Sequence, residues 1–227
     1  MTQRILIIAA HPDDEVLGCG GTIAKLAKAG AYIHVAFLAD GVFSRDGDLN
    51  SQKTELASRQ SAAKNACEIL GVHSISFGDF PDNKMDSSPL LDIVKAVEEL
   101  VIKHSPDTLF THHCGDVNID HRRIHEAVVA ACRPQGGHPV KTLLTFEVPS
   151  STEWQLPSSA PPFLPNYFVD ISATLDQKLL ALDSYSTELR TWPHTRSRRG
   201  VEHLTHWRGA TMGVDAAEAF MLGRHIA

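Results

Sequence analysis

Apolar runs alternate with amphipathic stretches through the first 132 residues. Arg4 to Ala9 is a short continuous apolar run and predicts a strand. Gly21 to Ala29 has helical spacing and stops at Gly30. Tyr32 to Ala39 predicts a second strand, and Glu55 to Leu70 a helix that ends at Gly71. Ser74 to Phe77 reads as a short strand and Leu90 to His104 as a long amphipathic helix. Thr108 to His112 is another strand, and His121 to Cys132 another helix ahead of Pro134. Strands alternating with helices imply βαβ units and a mostly parallel α/β sheet with right-handed connections.

From Leu143 the texture changes. Leu143 to Val148 and Tyr167 to Ile171 predict strands on either side of a loop rich in Ser and Pro, Pro149 to Pro165. With strand-like flanks this loop reads as a lid or surface loop and not as a domain boundary. Leu175 to Leu189 predicts a helix, Arg190 to Gly200 is polar and basic, and Met212 to Arg224 predicts a closing helix. A single domain over residues 1–227 is expected, with a core over 1–142 and substrate-side strands, loop and closing helices over 143–227.

Composition narrows the functions available. The chain has 227 residues, 43% hydrophobic and 21% charged, enough to bury a sizeable core without disulfide staples. Twenty-one Lys and Arg face 27 Asp and Glu, a formal charge of −6. That balance argues against a nucleic-acid partner and against a polybasic membrane patch. No apolar run approaches the ~20 residues of a membrane span. The opening run leads into His11 and Pro12 with no small-residue cleavage site, so it reads as a strand and not a signal peptide. Cys19, Cys67, Cys114 and Cys132 are far apart and form no C-x-x-C, which suits reduced thiols in a cytoplasmic protein. Thirteen histidines raise metal or acid–base chemistry as a question.

Two polar clusters fall at carboxyl ends of predicted strands, where open parallel sheets place their sites. The first is His11-Pro12-Asp13-Asp14-Glu15. Pro12 forces a sharp turn after His11. From such a turn His11 and Asp14 can converge on one point while Asp13 points elsewhere. Imidazole and carboxylate are ordinary zinc ligands, and a catalytic zinc needs a third protein ligand plus an open position. The same residues also read as a solvated turn that caps a helix. The second cluster, Asp116-Val117-Asn118-Ile119-Asp120-His121, puts His121 near a helix start. Adjacent strand ends would bring His121 near His11, giving two histidines and one aspartate with Asp13 left as a base.

With Gly18, Gly20 and Gly21 behind it, the first cluster resembles the signature of the PIG-L/LmbE-like deacetylase family. Asp120-His121 resembles that family's second motif. Arg59 ahead of Leu70-Gly71-Val72 is similar to its arginine before a turn, and Asp82 to Met85 to the loop that holds the substrate sugar. Pro165-Asn166 and Ala217-Glu218-Ala219-Phe220 also fit, so the resemblance covers nearly the whole chain. It implies a Rossmann-like three-layer sandwich with a short C-terminal extension. It also implies one catalytic Zn2+ on His11, Asp14 and His121, although the same donors suit other divalent transition metals. The implied reaction is hydrolysis of the N-acetyl amide of a small amino sugar, free or nucleotide-linked, releasing acetate. Several relatives are oligomers, which leaves a homo-oligomer open.

In the implied mechanism zinc lowers the pKa of its water from 15.7 to about 7 and the resulting hydroxide attacks. Asp13 accepts the water proton and can return it to the amine. Glu15, in the first helical turn, braces the loop, while Asp116 and Asp120 support the ligands from behind. Arg59, Asp82, Met85, Asn118 and Arg196 are the expected substrate contacts. Many relatives carry a histidine where Asn118 stands. Asn118 can donate a hydrogen bond but cannot carry a proton. Either Asp13 makes both transfers or another group helps, and His194 in Pro193-His194-Thr195-Arg196 is the candidate. Asp40-Gly41 lies at another strand end. One of His112 and His113 should face the site. Trp154, Phe163 and Trp192 offer an apolar wall or pack the loop.

Two alternatives stay open. The same zinc machinery could cut a thiol conjugate or another N-acyl amide. A non-catalytic nucleotide-binding module could use Gly18-Cys19-Gly20-Gly21. Its spacing is wrong for that, because no G-x-G-x-x-G follows the strand, and the neighbouring acids would repel a pyrophosphate.

Overall fold

A computed structural model describes residues 2–40 and 49–227. Strand β1 (Arg4–Ala9) shows why the chain folds around it. Ile5, Ile7 and Ala9 point into one core, Leu6 and Ile8 into another. A strand buried on both faces reads as a continuous apolar run, and it needs helices on each side. Helices α1 (Asp14–Lys28), α2 (Leu49–Leu70) and α5 (Leu175–Asp183) cover the first face. Helices α3 (Leu90–His104) and α4 (Ile119–Ala131) cover the second.

The sheet has seven strands in the order β3-β2-β1-β4-β5-β7-β6. Strands β2 (Tyr32–Ala39), β3 (Ser74–Phe80), β4 (Thr108–His112) and β5 (Thr142–Phe146) continue β1 in parallel. Strand β7 (Ala217–His225) runs antiparallel between β5 and β6 (Tyr167–Asp170). The fold is a mostly parallel α/β sandwich. The chain leaves β1 toward β2 and β3, then crosses back to β4 on the other side of β1. That reversal opens a crevice beyond the carboxyl ends of β1 and β4, the place where such sheets bind ligands. Among the described residues no helix is long and apolar enough to cross a membrane.

The first helix starts seven residues before the predicted Gly21. It begins at Asp14 and kinks at Cys19 (φ −148°, ψ 20°). Its glycines hide a helix from pattern reading, because glycine has poor helix propensity. They serve close packing: a methyl group on Gly18 would run into the Phe146 ring, and one on Gly21 into Ile171. The expected closing helix over Met212 to Arg224 is instead strand β7. Ala, Glu, Met and Leu favour a helix locally, but the slot between β5 and β6 overrides that preference. The helix that closes this side is α6 (Arg198–Ala210), which the basic stretch concealed. Only Val201, Thr205 and Gly209 on it are buried, one position in four.

Candidate active site

After β1 the chain turns at Pro12, and Asp13 takes a left-handed backbone (φ 118°). A non-glycine residue held there stores strain, which persists only when its surroundings fix it. Glu15 Oε2 accepts the Asp13 N–H at 3.0 Å, and the Tyr185 hydroxyl donates to Glu15 Oε1 at 2.6 Å. Asp14 Oδ2 accepts the His11 N–H at 2.8 Å and closes the turn. The same oxygen lies 3.4 Å from His11 Nδ1.

After β4, Asn118 caps α4. Its side-chain oxygen accepts the N–H groups of Asp120 (2.8 Å) and His121 (3.4 Å). This sets His121 in the first helical turn, with Nε2 at 3.3 Å from Asp14 Oδ2. The His121 ring stacks on His112 at 3.8 Å. His112 is fixed in turn, because its Nε2 accepts the Ala10 N–H at 2.8 Å. Of the two histidines at this strand end, His112 backs the site, while His113 Nε2 pairs with the Pro161 carbonyl of the Ser/Pro loop.

His11, Asp14 and His121 each offer one donor atom, all within 4.8 Å of one another. Donors at 2.0–2.1 Å around a tetrahedral ion lie about 3.3–3.4 Å apart, so the Asp14 spacings suit zinc. His121 Nε2 is buried and has no hydrogen-bond partner among the described residues. A buried imidazole nitrogen with no hydrogen-bond partner, beside a carboxylate, fits the role of a metal ligand. Each histidine gives its other nitrogen to a buried carboxylate. His11 Nε2 lies 3.0 Å from Asp120 Oδ2, and His121 Nδ1 lies 3.2 Å from Asp116 Oδ2. Such pairs fix the orientation of metal-binding imidazoles. His11, Asp82 and Asp120 form a second close group. There Asp120 already accepts the N–H groups of Asn83 (2.6 Å) and Met85 (3.0 Å), so it reads as a support.

The electrostatics favour a cation at this point. Burial alone would raise the Asp14 pKa, but His121 and His112 outweigh it and hold the carboxyl well below the usual range. Burial would lower His121, yet Asp14 and Asp116 push it up to about 9. The carboxylates that hold a proton there would equally hold a metal ion. Asp13 is raised to about 7 by burial, partly offset by Arg196. Glu15 is raised to about 8 by burial, partly offset by the Tyr185 hydrogen bond.

A cavity of about 120 Å³ opens over these groups. His11, Asp13, Asp14, Arg59, Asp82, Asn83, Asn118, His121, Glu188 and Arg196 line it. Asp82 Oδ1 is 3.1 Å from His11 Nε2. Arg196 donates from Nε to Ser150 Oγ (2.8 Å) and from Nη1 to Asp13 Oδ2 (3.3 Å). Asn118 Nδ2 donates to Asn83 Oδ1 at 3.1 Å, so Asn118 both caps the helix and faces the cavity.

Two expected site residues lie elsewhere. Met85 is fully buried in the core beneath α3 and α4, and only its backbone N–H meets the site, through Asp120. His194 does not line the cavity: its Nδ1 accepts the Arg196 N–H at 3.0 Å and its ring faces Trp154. It therefore orders the Arg196 segment from outside the cavity. Trp154 and Trp192 are also outside the lining, half exposed beside histidines. Gly41 lies outside the described residues. Sequence reasoning missed Glu188, Ser150 and Tyr185, while Asn83 falls within the Asp82 to Met85 loop that it had singled out without naming this residue. Glu188 and Tyr185 had no local signal, because the expected helix over 175–189 hid their turn.

Residues 6–132 match the sequence profile of the family described as GlcNAc-PI de-N-acetylase, PIG-L. A protein of Escherichia coli named as an uncharacterized deacetylase, YaiS, is 31% identical over 154 residues, 66% of this chain and 76% of that one. The diacetylchitobiose deacetylase of Thermococcus kodakarensis is 30% identical over 200 residues, 82% of this chain and 70% of that one. The solved N,N'-diacetylchitobiose deacetylase of Pyrococcus horikoshii shares the fold with a TM-score of 0.79. It is 22% identical, with 98% of this chain and 84% of that one covered.

Proposed function

The chain belongs to the PIG-L family, and from that membership we propose that it hydrolyses the N-acetyl amide of a small amino sugar to acetate and a free amine. Three convergent donors, His11, Asp14 and His121, with the buried orphan nitrogen of His121 beside the Asp13 carboxylate, carry this reading. These donors would hold a divalent ion, zinc by donor type and spacing. Bound there, the ion would supply Lewis-acid polarisation of the amide carbonyl and of a water.

The chain's own groups do the rest. Asp120 and Asp116 hold the imidazoles of His11 and His121 in register. Asp13 takes a proton from the attacking water as its oxygen bonds to the carbonyl carbon. When the C–N bond breaks, Asp13 hands that proton to the leaving nitrogen, so one carboxyl serves both steps. Burial raises its proton affinity and Arg196 opposes that rise, so this pocket sets how readily Asp13 takes and returns a proton. With Asn118 occupied as a helix cap and His194 away from the cavity, no histidine is assigned the second transfer. Asp82, Asn83, Arg59 and Glu188 present polar atoms to sugar hydroxyls.

The test is acetate release by zinc-loaded protein from a panel of N-acetylated sugars, with Asp13→Asn as control. Asp13→Asn is expected to retain its metal by elemental analysis and to lose at least about 100-fold in kcat, the usual range for a general base. Undiminished turnover by Asp13→Asn would remove the base assignment. No acetate from metal-loaded wild type would overturn the deacetylase reading and leave longer acyl amides or thiol conjugates to assay.

A further inference from the structure

The cavity holds two arginines, and each is already neutralised. Arg59 Nη2 lies 2.5 Å from Glu188 Oε1, and its Nε lies 3.5 Å from Glu55 Oε1. Arg59 is 6% exposed and Glu188 5%, so water screens their interaction little. Arg196 is paired with Asp13. Four lining carboxylates, Asp13, Asp14, Asp82 and Glu188, face these two guanidiniums. A divalent ion on the donors described above would bring that balance to neutral and not to positive.

This arrangement discriminates between ligands by charge. A phosphate or carboxylate entering here must compete with Glu188 for Arg59 while approaching Asp82 and Asp13. Like charges brought together in a desolvated site are strongly disfavoured. A sugar hydroxyl meets no such conflict, because it both donates and accepts. An arginine–carboxylate pair sets a donor and an acceptor side by side, which matches neighbouring hydroxyls on one ring.

We propose that the buried Arg59–Glu188 pair restricts this site to uncharged N-acetyl amino sugars, with Glu188 as the residue that excludes phosphorylated, carboxylated and nucleotide-linked ones. This rests on the amino-sugar reading above and narrows its substrate class. Glu188 withholds the Arg59 charge from anions. Removing its charge while keeping its shape should release that guanidinium to them.

The experiment measures binding by calorimetry and turnover by acetate release, on zinc-loaded wild type and Glu188→Gln. The ligands are methyl N-acetylglucosaminide, N-acetylglucosamine 6-phosphate and UDP-N-acetylglucosamine. Wild type is expected to favour the neutral glycoside by at least about tenfold, the scale of one charge-assisted contact. Glu188→Gln should shift that ratio toward the phosphate by about tenfold. Wild type that takes the phosphate or the nucleotide sugar as tightly as the glycoside overturns the proposal, whether or not the variant folds. An unmoved ratio in folded Glu188→Gln overturns it too, as does absence of binding by all three. Neutral-selective binding without acetate release would instead fault the deacetylase reading and leave the charge selectivity standing.

Discussion

Asp13 is the residue on which the proposed chemistry turns, and Arg196 is the one that orients it. The carboxylate is 4% exposed beside Asp14, and Arg196 Nη1 contacts it at 3.3 Å. Arg196 is itself anchored on Ser150 Oγ, and Ser150 holds a left-handed backbone (φ 73°) with its N–H on Glu153 Oε1 at 2.7 Å. Asp13 is thus braced through its backbone by Glu15 and through its carboxylate from the substrate-side loop. If Arg196 acts through Asp13, its effect must vanish once Asp13 is gone. Arg196→Gln is expected to lower kcat by about 10- to 100-fold with little change in KM, and Arg196→Lys to recover part of it. In an Asp13→Asn background Arg196→Gln should cost nothing further, the mark of residues acting as a unit. A rise in KM alone, or additive losses in the double variant, would make Arg196 a substrate contact instead.

At the scale of elements, the site is a strand end and a helix start brought together across β1 and β4, and Asn118 sets the helix start. Its cap directs α4 so that His121 faces Asp14. Asn118→Ala is expected to cost about 1 kcal/mol of stability and to weaken zinc binding, because the first turn frays under its ligand. Asn118→Ser should restore both, since a hydroxyl caps as well. Urea denaturation of metal-free protein and a zinc titration measure the two effects; unweakened zinc binding in Asn118→Ala would separate the cap from the site. The legibility of the sequence follows the same division. His11, Asp13, Asp14 and His121 sit in short motifs at strand ends, so local chemistry announced them. Glu188 meets Arg59 across 129 positions, and no local pattern encodes such a contact. Strands β1, β2, β4 and β5 were legible because burial on both faces leaves largely apolar runs, while the edge strand β3 shows only the apolar alternation of Ile75 and Phe77. Strand β7 was not: its residues favour a helix, and only its neighbours β5 and β6 make it a strand.

Over the whole molecule, the two ends of the sheet respond to pH in opposite senses. Toward the amino ends, His34 on β2 is 2% exposed, with Nδ1 at 2.8 Å from Ser74 Oγ and Nε2 at 2.9 Å from Ser76 Oγ. The His104 ring stacks on it at 3.7 Å. A neutral imidazole with two hydroxyl neighbours is satisfied in either tautomer, whereas two stacked imidazolium ions would repel. Burial, then the charges of His104 and Lys103, lower the His34 pKa to about 4. Its unfolded value is near 6.5. The unfolded chain therefore binds more protons between these values. This contribution to stability is present above about pH 6.5 and is lost as pH falls toward 4. At the site end, Glu15 works the other way. Burial raises it to about 8, so the fold favours its protonated form and loses stability as pH rises from about 4.5 to 8. A wild-type stability curve sums both and isolates neither. The difference between wild type and His34→Gln separates them, because Glu15 cancels. Urea denaturation at intervals from pH 4 to 8 should show wild type losing its advantage over His34→Gln steadily below pH 6.5. A constant difference over that range would mean that His34 titrates alike in the folded and unfolded chain, and that the stacked pair does not set the acid limit of the fold.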